Sequence, residues 1–125
     1  MLEFKDIADK YQLDLILIFG SRAAGDLHPE SDIDIAVYGR QILSETVKIQ
    51  LIYELGSIFH SDDVDLVDLR TASPLLEHEA LKNYKILFQR DEMLLHQLES
   101  ANMRKMKEIE ILDRIRRQRL EEFIR

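Results

Sequence analysis
Apolar and polar positions along the chain follow two periods, and these divide it into helices and strands. Residues 2–12 place Leu2, Ile7, Ala8 and Tyr11 near one side of a helix. Leu13 to Phe19 is a short apolar run stopped by Gly20-Ser21, the pattern of a buried strand. Ser21 to Gly25 then opens a short helix or turn, and Pro29 and Ser31 mark a loop. Asp32 to Val37 alternates Asp, Ile, Asp, Ile before turning apolar, which predicts a second strand closed by Gly39. Residues 42–59 carry Leu43, Val47, Leu51, Leu55 and Ile58 at helical spacing. Val64 to Leu69 alternates again and predicts a third strand. Ser73-Pro74 starts a helix that runs to about Asn83, with Ser as cap and Pro in the first turn. Ile86 to Phe88 predicts a short edge strand, and residues 91–123 a long helix with a break near Ser100 to Asn102. This order gives an α/β (α+β) chain: a mixed sheet with flanking helices in residues 1–90, and a helical extension of the same domain in 91–125.

Composition narrows the picture. The 125 residues are 46% hydrophobic and include only two prolines, so the chain can bury a core. No cysteine is present, which excludes a disulfide framework, a thiolate metal site and a Cys nucleophile, and suits a reducing cytoplasm. The N-terminal MLEFKDIADKYQLD lacks the apolar heart of a signal peptide, and the apolar runs are too short to span a bilayer, so no membrane association is expected. The net charge of −7 argues against direct nucleic-acid binding. That charge is uneven. Residues 1–100 hold nine Lys/Arg against nineteen Asp/Glu, a balance of −10, whereas residues 101–125 hold eight against five, a balance of +3.

The chemistry concentrates in Gly20 to Asp34. A strand ending in Gly-Ser and opening a helix presents free backbone N–H groups that attract phosphate oxygens, and Gly20 lets the backbone come close. The Ser21 hydroxyl adds a donor; Arg22 either reaches a phosphate or makes a structural ion pair. Asp32 and Asp34 lie two apart on a strand, so both point to one face, while Ile33 and Ile35 point into the core. Two adjacent carboxylates repel, and a hard cation such as Mg²⁺ is the natural compensation. Asp65 lies on the next predicted strand, where a neighbouring position brings it beside that pair; Asp68 has the opposite parity. Three carboxylates around two metal ions suit in-line nucleotidyl transfer, one ion activating the attacking hydroxyl and the other steadying pyrophosphate. Taken singly, each motif reads as well as an ordinary turn or a solvated strand face; their conjunction in this order is what points to chemistry.

Gly20-Ser21, ten residues and then Asp32-Ile33-Asp34, followed by Val64-Asp65-Leu66-Val67, resembles the nucleotidyltransferase superfamily of the polymerase-beta type over about residues 13–90. The resemblance implies the nucleotidyltransferase fold, Ser21 as a triphosphate contact, and Asp32, Asp34 and Asp65 as metal ligands, with Asp65 helping to deprotonate the acceptor. The Gly-Ser-Arg-Ala-Ala-Gly opening and the Ser-Asp-Ile-Asp-Ile-Ala-Val strand are similar to those of the minimal nucleotidyltransferase (MNT) group. Many members of that group are antitoxins paired with a HEPN ribonuclease toxin. The resemblance therefore implies transfer of AMP from ATP, with Mg²⁺, onto a tyrosine of the HEPN partner. Two alternatives stand beside it: an antitoxin that neutralises by binding alone, and a nucleotidyltransferase with a small-molecule acceptor.

One domain's worth of residues leaves no room for a separate acceptor-binding lobe, so the acceptor is expected to dock from outside, in a homo- or hetero-oligomer. Met103, Met106, Ile109, Leu112 and Ile115 recur at intervals of three, flanked by Arg114, Arg116, Arg117 and Arg119. This helix either meets a partner groove or packs on its own sheet. His28, His60, His78 and His96 are scattered without ligand spacing, and Ser21 has no nearby base to make it a nucleophile.

Overall fold
The apolar run at Leu13–Phe19 forms β1, one of the two inner strands of a four-stranded sheet in the computed structural model, which describes residues 3–20 and 32–124. The other elements are α1 (Phe4–Tyr11), β2 (Ile33–Gly39), α2 (Glu45–Phe59), β3 (Val64–Asp68), α3 (Pro74–Lys82), β4 (Tyr84–Gln89) and α4 (Glu92–Ile124). The sheet order is β3-β2-β1-β4. β1 runs antiparallel to both β2 and β4, and β2 runs parallel to β3 across the α2 crossover, so the sheet is mixed as expected.

Local chemistry sets the helix ends. Glu3 and Asp6 form a reciprocal capping box at the start of α1, and Gln12 closes that helix in the left-handed conformation. Ser44 caps α2 by accepting from Val47 N at 3.2 Å. Ser73 does the same for α3 through Leu76 N, with Pro74 at the first helical position.

Both faces of the sheet are covered. Ile16, Ile18, Ile33 and Ile35 pack against Ile7 and Ala8 of α1 and Leu51 and Leu55 of α2. Leu15, Leu17, Phe19 and Ala36 pack against Ala80 and Leu81 of α3 and Leu95 of α4. In β4 the partners jump from Ile16↔Phe88 to Leu17↔Ile86, leaving Leu87 as an extra residue. This bulge lets Leu87 and Phe88, adjacent in sequence, both pack on the α1/α2 side. β4 is longer than its apolar centre suggests: it opens at Tyr84 and Lys85, which pair with Phe19 and Ile18.

The structure corrects the expected interruption of the last helix. α4 is continuous from Glu92 to Ile124. Asn102, where the break was expected, is buried, and its side-chain amide donates to Pro74 O at 3.0 Å and to Glu77 Oε1 at 2.9 Å. The polar residue is an anchor onto α3, which no local pattern reveals. Among the described residues no helix is long and apolar enough to cross a membrane. The expected turn after Gly20, with Ser21, Arg22 and His28, and the Leu2 position lie outside the described residues.

Candidate active site
Parity and register bring the acidic side chains together at one end of the sheet. Asp34 shares its face with Ala36, and Asp65 shares its face with Val67; both therefore lie on the α3/α4 side, beyond the apolar core. Asp34 and Asp65 are direct partners in the parallel β2–β3 ladder. Asp32 is exposed and sits just before the strand, which begins at Ile33 rather than at Asp32. Ile33 and Ile35 point into the opposite core, as the alternation requires. The carboxylates thus gather at one end of the sheet, Asp34 and Asp65 on one face with the Asp32 charge nearby.

Their electrostatics show the cost of that grouping. Partial burial pushes the Asp34 carboxyl above its ordinary range, and the Asp65 and Asp32 carboxylates push it the same way. Gly20 closes the other side. Its φ of +75° lies in the left-handed region, and a Cβ built on it would stand 2.6 Å from Asp34 Oδ2. Only glycine allows both the turn and the close approach of backbone to carboxylate.

Cation chemistry fits this donor set. Among the described residues no three carboxylate or imidazole side chains close into a cage able to hold an ion by themselves. Mg²⁺ does not need such a cage, because it is held by one or two carboxylates with substrate phosphates and water supplying the rest. A repelling, partly desolvated Asp34 next to Asp65 is a site that a divalent ion would relax.

Two features at the ends of these strands have partners that the sequence did not reveal. Tyr84 faces Phe19 across β1–β4, so the row Asp65, Asp34, Phe19, Tyr84 crosses the whole sheet at one level. The Tyr84 hydroxyl donates to Glu99 Oε1 of α4 at 2.7 Å; burial first, and then this bond, push it up to about 12. At the far end of β3, Asp68 is only 4% exposed. It accepts from Leu43 N and Arg70 N, each at 3.0 Å. Asp68 therefore ties the lead-in of α2 to the sheet and belongs to the scaffold. A cleft of about 700 Å³ lined by Phe4, Ile58, Leu87 and Phe88 lies on the α1/α2 side, away from the carboxylates.

Comparison with known proteins agrees with this geometry. Residues 3–93 match the family model described as polymerase beta, nucleotidyltransferase. The protein adenylyltransferase MntA of Shewanella oneidensis is 43% identical over 77 residues, a stretch covering 62% of this chain and 55% of that protein. The chain thus spans about half the length of that relative. A crystal structure of a toxin–antitoxin complex with AMP-PNP superposes with a TM-score of 0.75 at 30% identity, covering 89% of this chain and 94% of its counterpart. One chain of a structure of the tri-AMPylated HEPN toxin of Shewanella oneidensis in complex with MNT antitoxin superposes with a TM-score of 0.59 at 33% identity, over 83% of each chain.

Proposed function
We propose that this chain, which belongs to the polymerase-beta nucleotidyltransferase family, is an antitoxin that transfers AMP from ATP to a tyrosine hydroxyl of a partner HEPN ribonuclease toxin and so neutralises it. The observation that carries the reading is the in-register Asp34–Asp65 pair beside the Gly20 turn. The relatives support the acceptor: one is a protein adenylyltransferase, and another is seen with an AMPylated toxin.

In this reading Asp32, Asp34 and Asp65 hold Mg²⁺, two ions per site. When bound, the ions supply Lewis acidity to the α-phosphate and charge to the departing pyrophosphate. The chain's own groups do the positioning. The Gly20 turn brings backbone close to the triphosphate, with Ser21 and Arg22 proposed as further phosphate contacts. The acceptor oxygen bonds to the α-phosphorus as the bond from that phosphorus to the β-bridging oxygen breaks. Asp65, the more exposed of the ladder pair, receives the hydroxyl proton. Phe19 walls the site on the β1 side and limits water there. A cytoplasmic setting, where ATP and Mg²⁺ are abundant, suits this chemistry.

The test is intact-mass spectrometry of the HEPN partner after incubation with this chain, ATP and Mg²⁺. The partner gains mass in steps of one AMP, and gains none with Asp32→Ala, with Asp34→Ala or after chelation of the metal. An unaltered partner mass with the unmutated chain refutes the reading. A carboxylate variant that still protects cells from the toxin replaces it with neutralisation by binding alone.

A further inference from the structure
We infer that the distal half of α4 is the docking surface for the acceptor protein, and that this partner meets it with an apolar helix face edged by carboxylates. The inference rests on the AMP-transfer reading above and names where that partner binds.

Three observations carry it. The first is continuity. Leu95, Leu98 and Asn102 fix the near half of α4 against the sheet and α3. The same face continues at helical spacing through Met106, Ile109, Leu112, Leu120 and Phe123. Met106 and Ile109 are still half-buried, and beyond them the face comes free: Leu112 is 55% exposed and Phe123 87%. The segment beyond Asn102 extends about 33 Å at the rise of an α-helix. An isolated helix of that length draws little stability from propensity alone and is normally held by a packed apolar face. The exposed Leu75 and Leu76 at the start of α3 broaden the strip where Asn102 bonds to Pro74.

The second is position. α4 reaches the active-site end of the sheet at Glu99, through its bond to Tyr84, and continues for a further 25 residues. A protein seated on that extension stands beside the carboxylate row, where an incoming tyrosine is needed.

The third is charge, which selects the occupant. Residues 101–125 carry +3 against −10 for residues 1–100. Arg116 interrupts the strip, and Arg114, Arg117 and Arg119 edge it. Two copies paired through this helix would set like charge against like. A partner with Asp and Glu flanking its apolar face removes that conflict. Arg114 and Arg117 have i,i+4 partners in Glu110 and Asp113, but such exposed pairs are worth little and yield readily to a new contact.

The experiment measures binding and transfer separately, with the full chain and its HEPN partner. Ile109→Asp/Leu112→Asp is expected to weaken the complex on the order of a hundredfold, by calorimetry, while ATP binding by the isolated chain is unchanged. Arg116→Glu/Arg119→Glu, which leaves the apolar positions intact, is expected to weaken it about tenfold and flatten its salt dependence. Asp34→Ala is expected to keep the complex and lose transfer. Undiminished partner binding by the apolar variant overturns the inference, as does absence of binding by the unmutated chain. A self-dimer in sedimentation that Ile109→Asp/Leu112→Asp abolishes also overturns it, by giving the strip to a second copy. A complex that forms through α4 without AMP transfer sinks only the catalytic reading and supports the surface.

Discussion
Asp65 and Asp68 lie three residues apart on the same five-residue strand, yet their surroundings are opposite. Asp68 is buried and holds two backbone N–H donors, so its charge is satisfied within the fold. Asp65 is exposed and partners Asp34, so its nearest cross-strand neighbour is another acid. A carboxylate that meets donors builds structure. A carboxylate that meets carboxylates leaves the fold an electrostatic debt that only something brought from outside can settle. The pair marks, on one strand, the division between scaffold and site.

Asp34→Asn gives the largest expected departure. Transfer is expected to fall at least about a hundredfold, read by intact mass, because the charge proposed to bind metal is lost. Stability is expected to move the other way. Burial and two neighbouring acids raise Asp34, so its protonated form suits the folded chain better than its ionised form. That contribution is complete below the unfolded-state value and is lost as pH rises through the raised one. Without metal and nucleotide, the variant is therefore expected to melt at a higher temperature than the parent at neutral pH. The difference should shrink as the solution is made acidic.

Asp68→Ala is expected to do the reverse: a loss of about 2–3 kcal/mol in urea unfolding, from the orphaned Leu43 and Arg70 amides, with nucleotide affinity kept in the folded fraction. A similar loss from Asp65→Ala would erase the contrast between the two positions; that variant is expected to stay within about 0.5 kcal/mol of the parent. Gly20→Ala reaches the site through the backbone rather than by removing a charge. It is expected to cost about 1–2 kcal/mol from its left-handed φ, and its Cβ displaces Asp34 Oδ2. Both denaturation and ATP titration should detect it, and an unchanged ATP affinity would separate the turn from the carboxylates.

How much of this was legible beforehand depended on range. The bounds of β1 follow from an apolar run stopped at Gly20, and the shared face expected of Asp32 and Asp34 from period-two alternation; both are purely local properties. Placing Asp65 beside them needed only the assumption that its strand is a neighbour. Asp68 announced itself by parity alone: it pointed away from the other acids, but its donors come from Leu43, 25 residues earlier. Asn102 was misread because a polar residue inside a helix looks like a break unless α3 is known to supply its partners. Tyr84 and Glu99 gave no signal, since their bond depends on how α4 crosses the sheet. The resemblance to the polymerase-beta type supplied the chemistry that spacing by itself left open.

Among the described residues β3 is a border strand, bonded in the sheet to β2 alone and reached through the α2 crossover. Borders of sheets are among the first parts of a domain to open in local fluctuations. The Asp34–Asp65 pairing exists only while that border is zipped. On the proposed reading, transfer is therefore expected to fade on warming before the domain unfolds, with a bound nucleotide acting as a clasp on the sheet's outer hem.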